Sequence, residues 1–321
     1  MSRIFRRFAS SASGSSAADA AKEILQRYGG KPVSIREQLI DANHARLLSV
    51  TLGRRNLHEK VSLDIDGAPV DGTPLPPGYH FIYFTPTMHE QDLGIDGTDK
   101  TLNPLSPWTR RMWAGGSMEW TQDPKEILRI GQKVKETTEI TSAEEKTMRS
   151  GDSMILAGLV KTYENEHGVA LVDRRNWVFQ KEHTERKEPP PKPQEKPLPE
   201  GTYSRDFCPS DVTLFRLSGL TFNAHKIHYS LPWCREVEGH RSLVVHGPYA
   251  LFGMLDLYRD TRAKDDPERL PKSISYRAMT PLYVNEPFRV ILEQDSDGQG
   301  KWTIQSHDSF GKVASKGTIT E

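Results

Sequence analysis

The sequence predicts an α+β fold used twice within one chain of 321 residues. Three observations lead there. A proline-rich break splits the chain, each part carries one helix pattern among several strand-like runs, and Asp297-Gly298 marks a tight hairpin near the C-terminus. The length agrees with a prior of about two domains. Lys and Arg number 43 and Asp and Glu 43, so the net charge is zero, which excludes a general nucleic-acid binder that needs a basic surplus. At 36% hydrophobic residues the chain can bury a core, so a wholly disordered chain is excluded. No apolar run is long enough to span a membrane. Cys208 and Cys234 alone make neither a disulfide framework nor a zinc site. These features describe a soluble intracellular protein in a reducing compartment.

Residues 1–20 stand apart from the rest of the chain. They carry Arg3, Arg6 and Arg7 with many serines and alanines, and the first carboxylate is Asp19. Such an Arg-rich, Ser-rich, acid-poor start is the composition of a mitochondrial transit peptide, and it is set outside the fold. Residues 21–182 form the N-terminal half. Apolar positions at Ile35, Leu39, Ile40, Leu47 and Leu48 predict an amphipathic helix over 34–52 with Ser34 as its cap. Strands are expected near 80–84, 117–121, 133–140, 153–163 and 169–179, and small residues in Trp113-Ala114-Gly115-Gly116 predict a close backbone crossing at a turn. Residues 183–203 hold six prolines between Pro189 and Pro199 and read as an extended linker. Residues 204–321 form the C-terminal half, with a helix from Pro248 and strands near 274–279, 288–294, 302–306 and 313–320.

Chemistry concentrates in the C-terminal half. His225, His228, His240 and His246 fall within 22 residues. No metal is expected: His225 and His228 could share a face, but no third ligand stands at a recognised spacing. There is no Gly-x-Ser-x-Gly elbow, no reactive-cysteine context and no glycine-rich phosphate loop. Proton transfer fits better, because an imidazole can take and return a proton near neutrality. Gly247, at the start of the predicted helix, offers a backbone N–H to an oxygen gaining negative charge. His246 itself reads as a structural histidine.

These residues resemble a known family. Thr221-Phe222-Asn223-Ala224-His225-Lys226-Ile227-His228-Tyr229, then Val237-Glu238-Gly239 and Leu243-Val244-Val245-His246-Gly247-Pro248, are similar to the MaoC-like hot-dog dehydratases and hydratases. The branch resembled contains the fungal mitochondrial type 2 hydroxyacyl-thioester dehydratases and the bacterial mesaconyl-C4-CoA hydratases. Arg110 to Gly116 and Asp173 to Asn176 extend the likeness into the N-terminal half. The resemblance implies a double hot dog, pseudo-dimeric within one chain, with a degenerate N-terminal domain and a catalytic C-terminal one. It also implies His228, Asn223 and Gly247 as the catalytic set, with His225 and His246 in support. Asn223 stands where the hydratase motif has its aspartate, and an amide cannot serve as a carboxylate base.

The implied activity is reversible dehydration of (3R)-3-hydroxyacyl thioesters to trans-2-enoyl thioesters, on acyl carrier protein in mitochondrial fatty acid synthesis. The alternative enzyme is a hydratase of a small dicarboxylic enoyl-CoA. A third reading, from another class, is a non-catalytic acyl-thioester-binding protein that has lost its carboxylate. No cofactor is expected beyond the phosphopantetheine or CoA that carries the substrate. Arg110, Arg111, Arg174 and Arg175 are candidates to bind its phosphates, with solvated or structural roles expected for at least two of them. The protein is expected as a monomeric double hot dog or a homodimer.

Overall fold

Buried residues recur at every second position along strands such as 301–308, and ten strands pair in a single antiparallel sheet. The computed structural model describes residues 14–58, 61–63, 67–148, 150–183, 185–295, 298 and 300–321. The N-terminal half runs α1 (Ala17–Tyr28), β1 (Ser34–Leu39), α2 (Ala42–Thr51), β2 (Asn56–His58), β3 (Val61–Ser62), β4 (Arg110–Trp120), β5 (Lys133–Thr147), β6 (Ser153–Asn165) and β7 (Gly168–Gln180). The C-terminal half runs β8 (Tyr203–Phe207), α3 (Asp211–Leu220), the long helix α4 (Gly247–Arg262), β9 (Ser273–Ala278), β10 (Phe288–Gln294), β11 (Lys301–Asp308) and β12 (Val313–Thr320).

Sheet order is β1-β5-β6-β7-β4-β9-β12-β11-β10-β8. Each half contributes its strands in the same relative order, first-third-fourth-fifth-second, so the duplication inferred from layout is visible in the topology. The halves join where β4 pairs antiparallel with β9, Gly115 opposite Arg277 through Glu119 opposite Ser273. This is an α+β double hot dog.

Helix α4 is the filling. It is buried from Tyr249 to Arg259, and Gly253 lets it approach the sheet so closely that a Cβ there would lie 2.9 Å from the Phe207 ring. Phe252, Leu255 and Tyr258 are almost fully buried, each contributing roughly 1.5–3 kcal/mol of apolar transfer. Its C-terminal end is tied to the other half: Arg54 contacts Asp260 at 2.7 Å and Asp256 at 3.4 Å, and Arg259 donates to the Leu57 carbonyl.

Four expectations change. The helix placed over 34–52 is strand β1 followed by α2, because Asp41 accepts the His44 N–H and restarts the chain as a helix, while 34–39 extends along β5. The strand at 80–84 is a 3₁₀ turn, Tyr79–Ile82, entered through Pro76, Pro77 and the left-handed Gly78 (φ 89°). Trp113 to Gly116 is no turn but a bulged part of β4. There the absence of side chains does permit close approach, since a Cβ on Gly116 would sit 2.0 Å from the Arg174 carbonyl oxygen. Residues 17–20, set outside the fold by composition, begin α1, whose Ala17, Ala20 and Ala21 pack with Trp108, Ile155 and Phe179. Of the expected hairpin pair, Asp297 lies outside the described residues. The strands beside it, β10 and β11, do pair antiparallel.

The proline-rich segment is extended and lies on the C-terminal half: Lys196 N–H donates to the Ser309 carbonyl, and the Pro199 carbonyl accepts from Arg289. No helix among the described residues is long and apolar enough to cross a membrane.

Candidate active site

The loop between α3 and α4 carries the histidines. Helix α3 is capped by Thr221; Phe222 then takes a left-handed conformation (φ 48°), and the Asn223 N–H returns to the Ser218 carbonyl. This tight reversal turns the chain into a 3₁₀ turn, Lys226–His228. The Val244 N–H donates to the Ile227 carbonyl and Val244 bridges to Tyr283, which anchors the segment feeding α4 beside that turn. His228 is thereby stacked on His246, ring centroids 3.6 Å apart, with His225 edge-on to His228 at 5.5 Å.

The protonation of His228 follows from its contacts. Nδ1 lies 2.7 Å from the Val244 carbonyl oxygen, which can only accept, so Nδ1 carries the proton and Nε2 keeps a lone pair. Burial pushes His228 down to about 4, against a smaller opposing effect of that hydrogen bond, so the ring is neutral at physiological pH. Burial also holds His246 well below its ordinary value, with His228 and His225 adding repulsion. His246 Nε2 meets Ser218 Oγ at 2.9 Å, while its buried Nδ1 has no partner among the described residues. Gly247 follows directly, exposed where His246 is buried, with Trp113 from β4 across from it: a Cβ there would lie 3.5 Å from Trp113 Cβ. His228, His246 and the Gly247 amide are therefore brought together.

Asn223 spends its Oδ1 on the His225 N–H at 3.1 Å. Sequence reasoning missed Asp96, in the N-terminal half. Asp96 Oδ2 lies 3.7 Å from His225 Nε2, and its backbone carbonyl accepts the Lys226 N–H at 2.7 Å. The only local signal is the Asp96-Gly97 turn pair, which says where the chain reverses and nothing about what it meets.

The four arginines have separate fates. Arg110 pairs with Glu238 and donates to Gln180 at 2.6 Å. Arg111 donates to the Asp99 carbonyl at 3.3 Å and lies over Trp177, with no carboxylate in ion-pair range among the described residues. Arg174 is 45% exposed and pairs with Glu119 at the surface. Arg175 is interior: it grips Asp173 at 2.6 Å and lies over Phe81 and Trp113. Burial alone would raise Asp173, but Arg175 and His80 outweigh it and hold the carboxyl at about 2. Cys234 is buried, its thiol pushed up to about 12 by burial, and Cys208 is exposed. No group of three or more metal-ligating side chains occurs among the described residues.

A sequence profile of hydroxyacyl-thioester dehydratase type 2 matches residues 78–284, spanning both halves of this site. The chain belongs to the hydroxyacyl-thioester dehydratase type 2 family. Among curated relatives of this type 2 dehydratase, mesaconyl-C(4)-CoA hydratase of Chloroflexus aurantiacus is 32% identical over 255 residues, covering 79% of this chain and 86% of the relative. The mitochondrial hydroxyacyl-thioester dehydratase type 2 of Schizosaccharomyces pombe is 25% identical over 243 residues, covering 69% and 79%. In fold, the chain is similar to a MaoC-like dehydratase from Phytophthora capsici, with TM-score 0.66 at 14% identity over 93% of this chain and 98% of that one. It is also similar to a conserved Mycobacterium tuberculosis protein with a double hotdog fold, TM-score 0.50 at 12% identity, covering 89% and 95%. As a type 2 dehydratase the protein is a hydro-lyase, an enzyme of the dehydratase and hydratase class.

Proposed function

We propose that the protein reversibly eliminates water from a (3R)-3-hydroxyacyl thioester to give the trans-2-enoyl thioester. The observation that carries this is the neutral His228, its Nδ1 tied to Val244 and its ring stacked on the residue preceding Gly247. In dehydration His228 Nε2 takes the α-proton, and the Gly247 N–H holds the thioester oxygen as it gains enolate character. Asn223 orients the departing hydroxyl. His246 fixes the His228 ring by stacking, and His225 lies next to both.

The acid-poor composition of residues 1–18 and the relative named mitochondrial in Schizosaccharomyces pombe favour a mitochondrial location, with acyl carrier protein as the proposed carrier. A second reading has its own observation: Arg111, largely buried and without an ion-pair partner among the described residues, sits near His225 and suits a substrate that carries a second carboxylate. The Chloroflexus relative is named for such a substrate. Turnover of 3-hydroxyacyl thioesters on acyl carrier protein and on CoA, beside dicarboxylic enoyl-CoA esters, separates the two. The protein assayed should begin near Gly14, since α1 is packed from Ala17 onward. Preference for a dicarboxylate that Arg111→Leu abolishes supports the second reading; preference for neutral chains removes it. Absence of turnover on the whole panel would leave a thioester-binding protein.

A further inference from the structure

We propose that Asp96, reaching over from the N-terminal half, supplies the carboxylate that position 223 lacks and exchanges a proton with the β-hydroxyl or with water. This rests on the dehydratase reading above. The loop carrying Asp96 is built to touch the histidine turn. Lys226 donates twice to it, from its backbone N–H to the Asp96 carbonyl at 2.7 Å and from Nζ to the Ile95 carbonyl at 2.6 Å. Gly97 is left-handed (φ 85°), and a Cβ there would fall 2.0 Å from the Ala224 carbonyl oxygen, so a side chain at this position would force the loops apart.

The two carboxylate oxygens have different work. Oδ1 is spent within the loop, accepting the Thr98 N–H at 2.9 Å and the Thr98 hydroxyl at 2.8 Å. Oδ2 accepts no hydrogen bond among the described residues and faces His225 Nε2 at 3.7 Å, a gap too long for a direct bond. Strand β4 links the loop that carries Asp96 to the start of α4. Arg111 donates to the carbonyl of Asp99, and two residues on, on the same strand face, Trp113 lies against Gly247.

In hydration Asp96 takes a proton from water as the water oxygen bonds to Cβ, and a proton that solvent has brought to the otherwise neutral His228 passes from Nε2 to Cα as the enolate collapses. In dehydration His228 takes the α-proton, the Cβ–O bond breaks, and the hydroxide leaves as water with the proton from the Asp96 carboxyl. Solvent returns the proton from His228 to the carboxylate.

Asp96→Asn tests this, because an amide oxygen can keep the Oδ1 contacts to Thr98 while removing the carboxylate. The expected result is a fall in kcat of about 10²-fold or more, with KM changed only a few-fold and an unchanged melting temperature. Thr98→Ala, which loosens the loop and leaves the carboxylate, should keep most of the activity. Asn223→Asp placed in the Asp96→Asn protein should restore part of the rate. Asp96→Asn turnover within three-fold of wild type, alongside an inactive His228→Ala protein, overturns the proposal and leaves the dehydratase reading standing. A wild-type protein inert on the whole panel overturns both.

Discussion

The two halves repeat one backbone. After α2, the N–H groups of Leu52, Gly53 and Arg54 return to the carbonyls of Leu48, Val50 and Ser49; after α3, those of Thr221, Phe222 and Asn223 return to Leu217, Gly219 and Ser218. Farther on, the Leu75 N–H meets the Leu128 carbonyl and the Tyr79 N–H that of Pro76, matched by Val245 to Leu282 and Tyr249 to His246. This register sets Arg54 opposite Asn223, Pro76 opposite His246 and Pro77 opposite Gly247. A proline has no N–H to hold an oxyanion. Arg54 is committed to Asp260 and Asp256 as a clamp on α4, beside a cavity of about 250 Å³ that Pro77 and Arg259 also line. Even the strain differs: the left-handed reversal is Gly53 in one half and Phe222 in the other, where a side chain costs on the order of 1 kcal/mol or more. A duplicated hot dog thus keeps its topology in both copies, while the N-terminal copy has a proline where the C-terminal one offers the Gly247 N–H proposed as donor.

The largest effect is expected from His228→Ala, which should lower dehydratase turnover by about 10²–10⁴-fold in a folded protein; wild-type rates would show that His228 is not the base. In the other half Arg175→Ala should unfold rather than inactivate. It strands the buried Asp173 carboxylate, and chemical denaturation should show a loss of about 3–5 kcal/mol. Gly247→Pro writes the N-terminal half's residue into the site. His246 already has the extended backbone a following proline requires (ψ 132°), so the fold should survive while kcat falls about 10²–10³-fold. Gly247→Ala keeps the N–H, meets Trp113 only at contact distance, and should cost far less.

A titration compares the halves through one histidine each. Burial depresses both His58 and His228 from 6.5 to about 4. The unfolded chain therefore binds protons that the folded one refuses, and stability falls as pH drops from about 6.5 toward 4. Each ring contributes on the order of 3 kcal/mol across that window. Denaturant midpoints at pH 7 and pH 5 check the sign, and His58→Gln should flatten the slope. Smallest of all, Arg174→Ala removes an exposed pair and should shift stability by less than about 0.5 kcal/mol with unchanged turnover.

Legibility in the sequence followed local physics. Strands β10 and β12 could be read at their observed limits, and in β10 Phe288, Val290 and Leu292 recur at every second position. Helix α4 announced itself through His246-Gly247-Pro248. Strand β1 did not: Ile35 and Leu39 are 61% and 57% exposed, so the apolar spacing that suggested a helix reflects no buried face. Helix α1 was hidden by alanines and serines that read as leader until Trp108 and Phe179 gave them something to pack on.

The duplicated α+β layout and the family likeness could be read from the chain alone, because each rests on short-range pattern or on a contiguous motif. Only the tertiary structure decided that Arg175 belongs to the interior, that Arg111 keeps no acidic partner within reach among the described residues, and that Asp96 comes to His225. Those facts depend on which distant strands and loops meet, and the free energy of such meetings comes from sheet pairing and buried area that no local window contains.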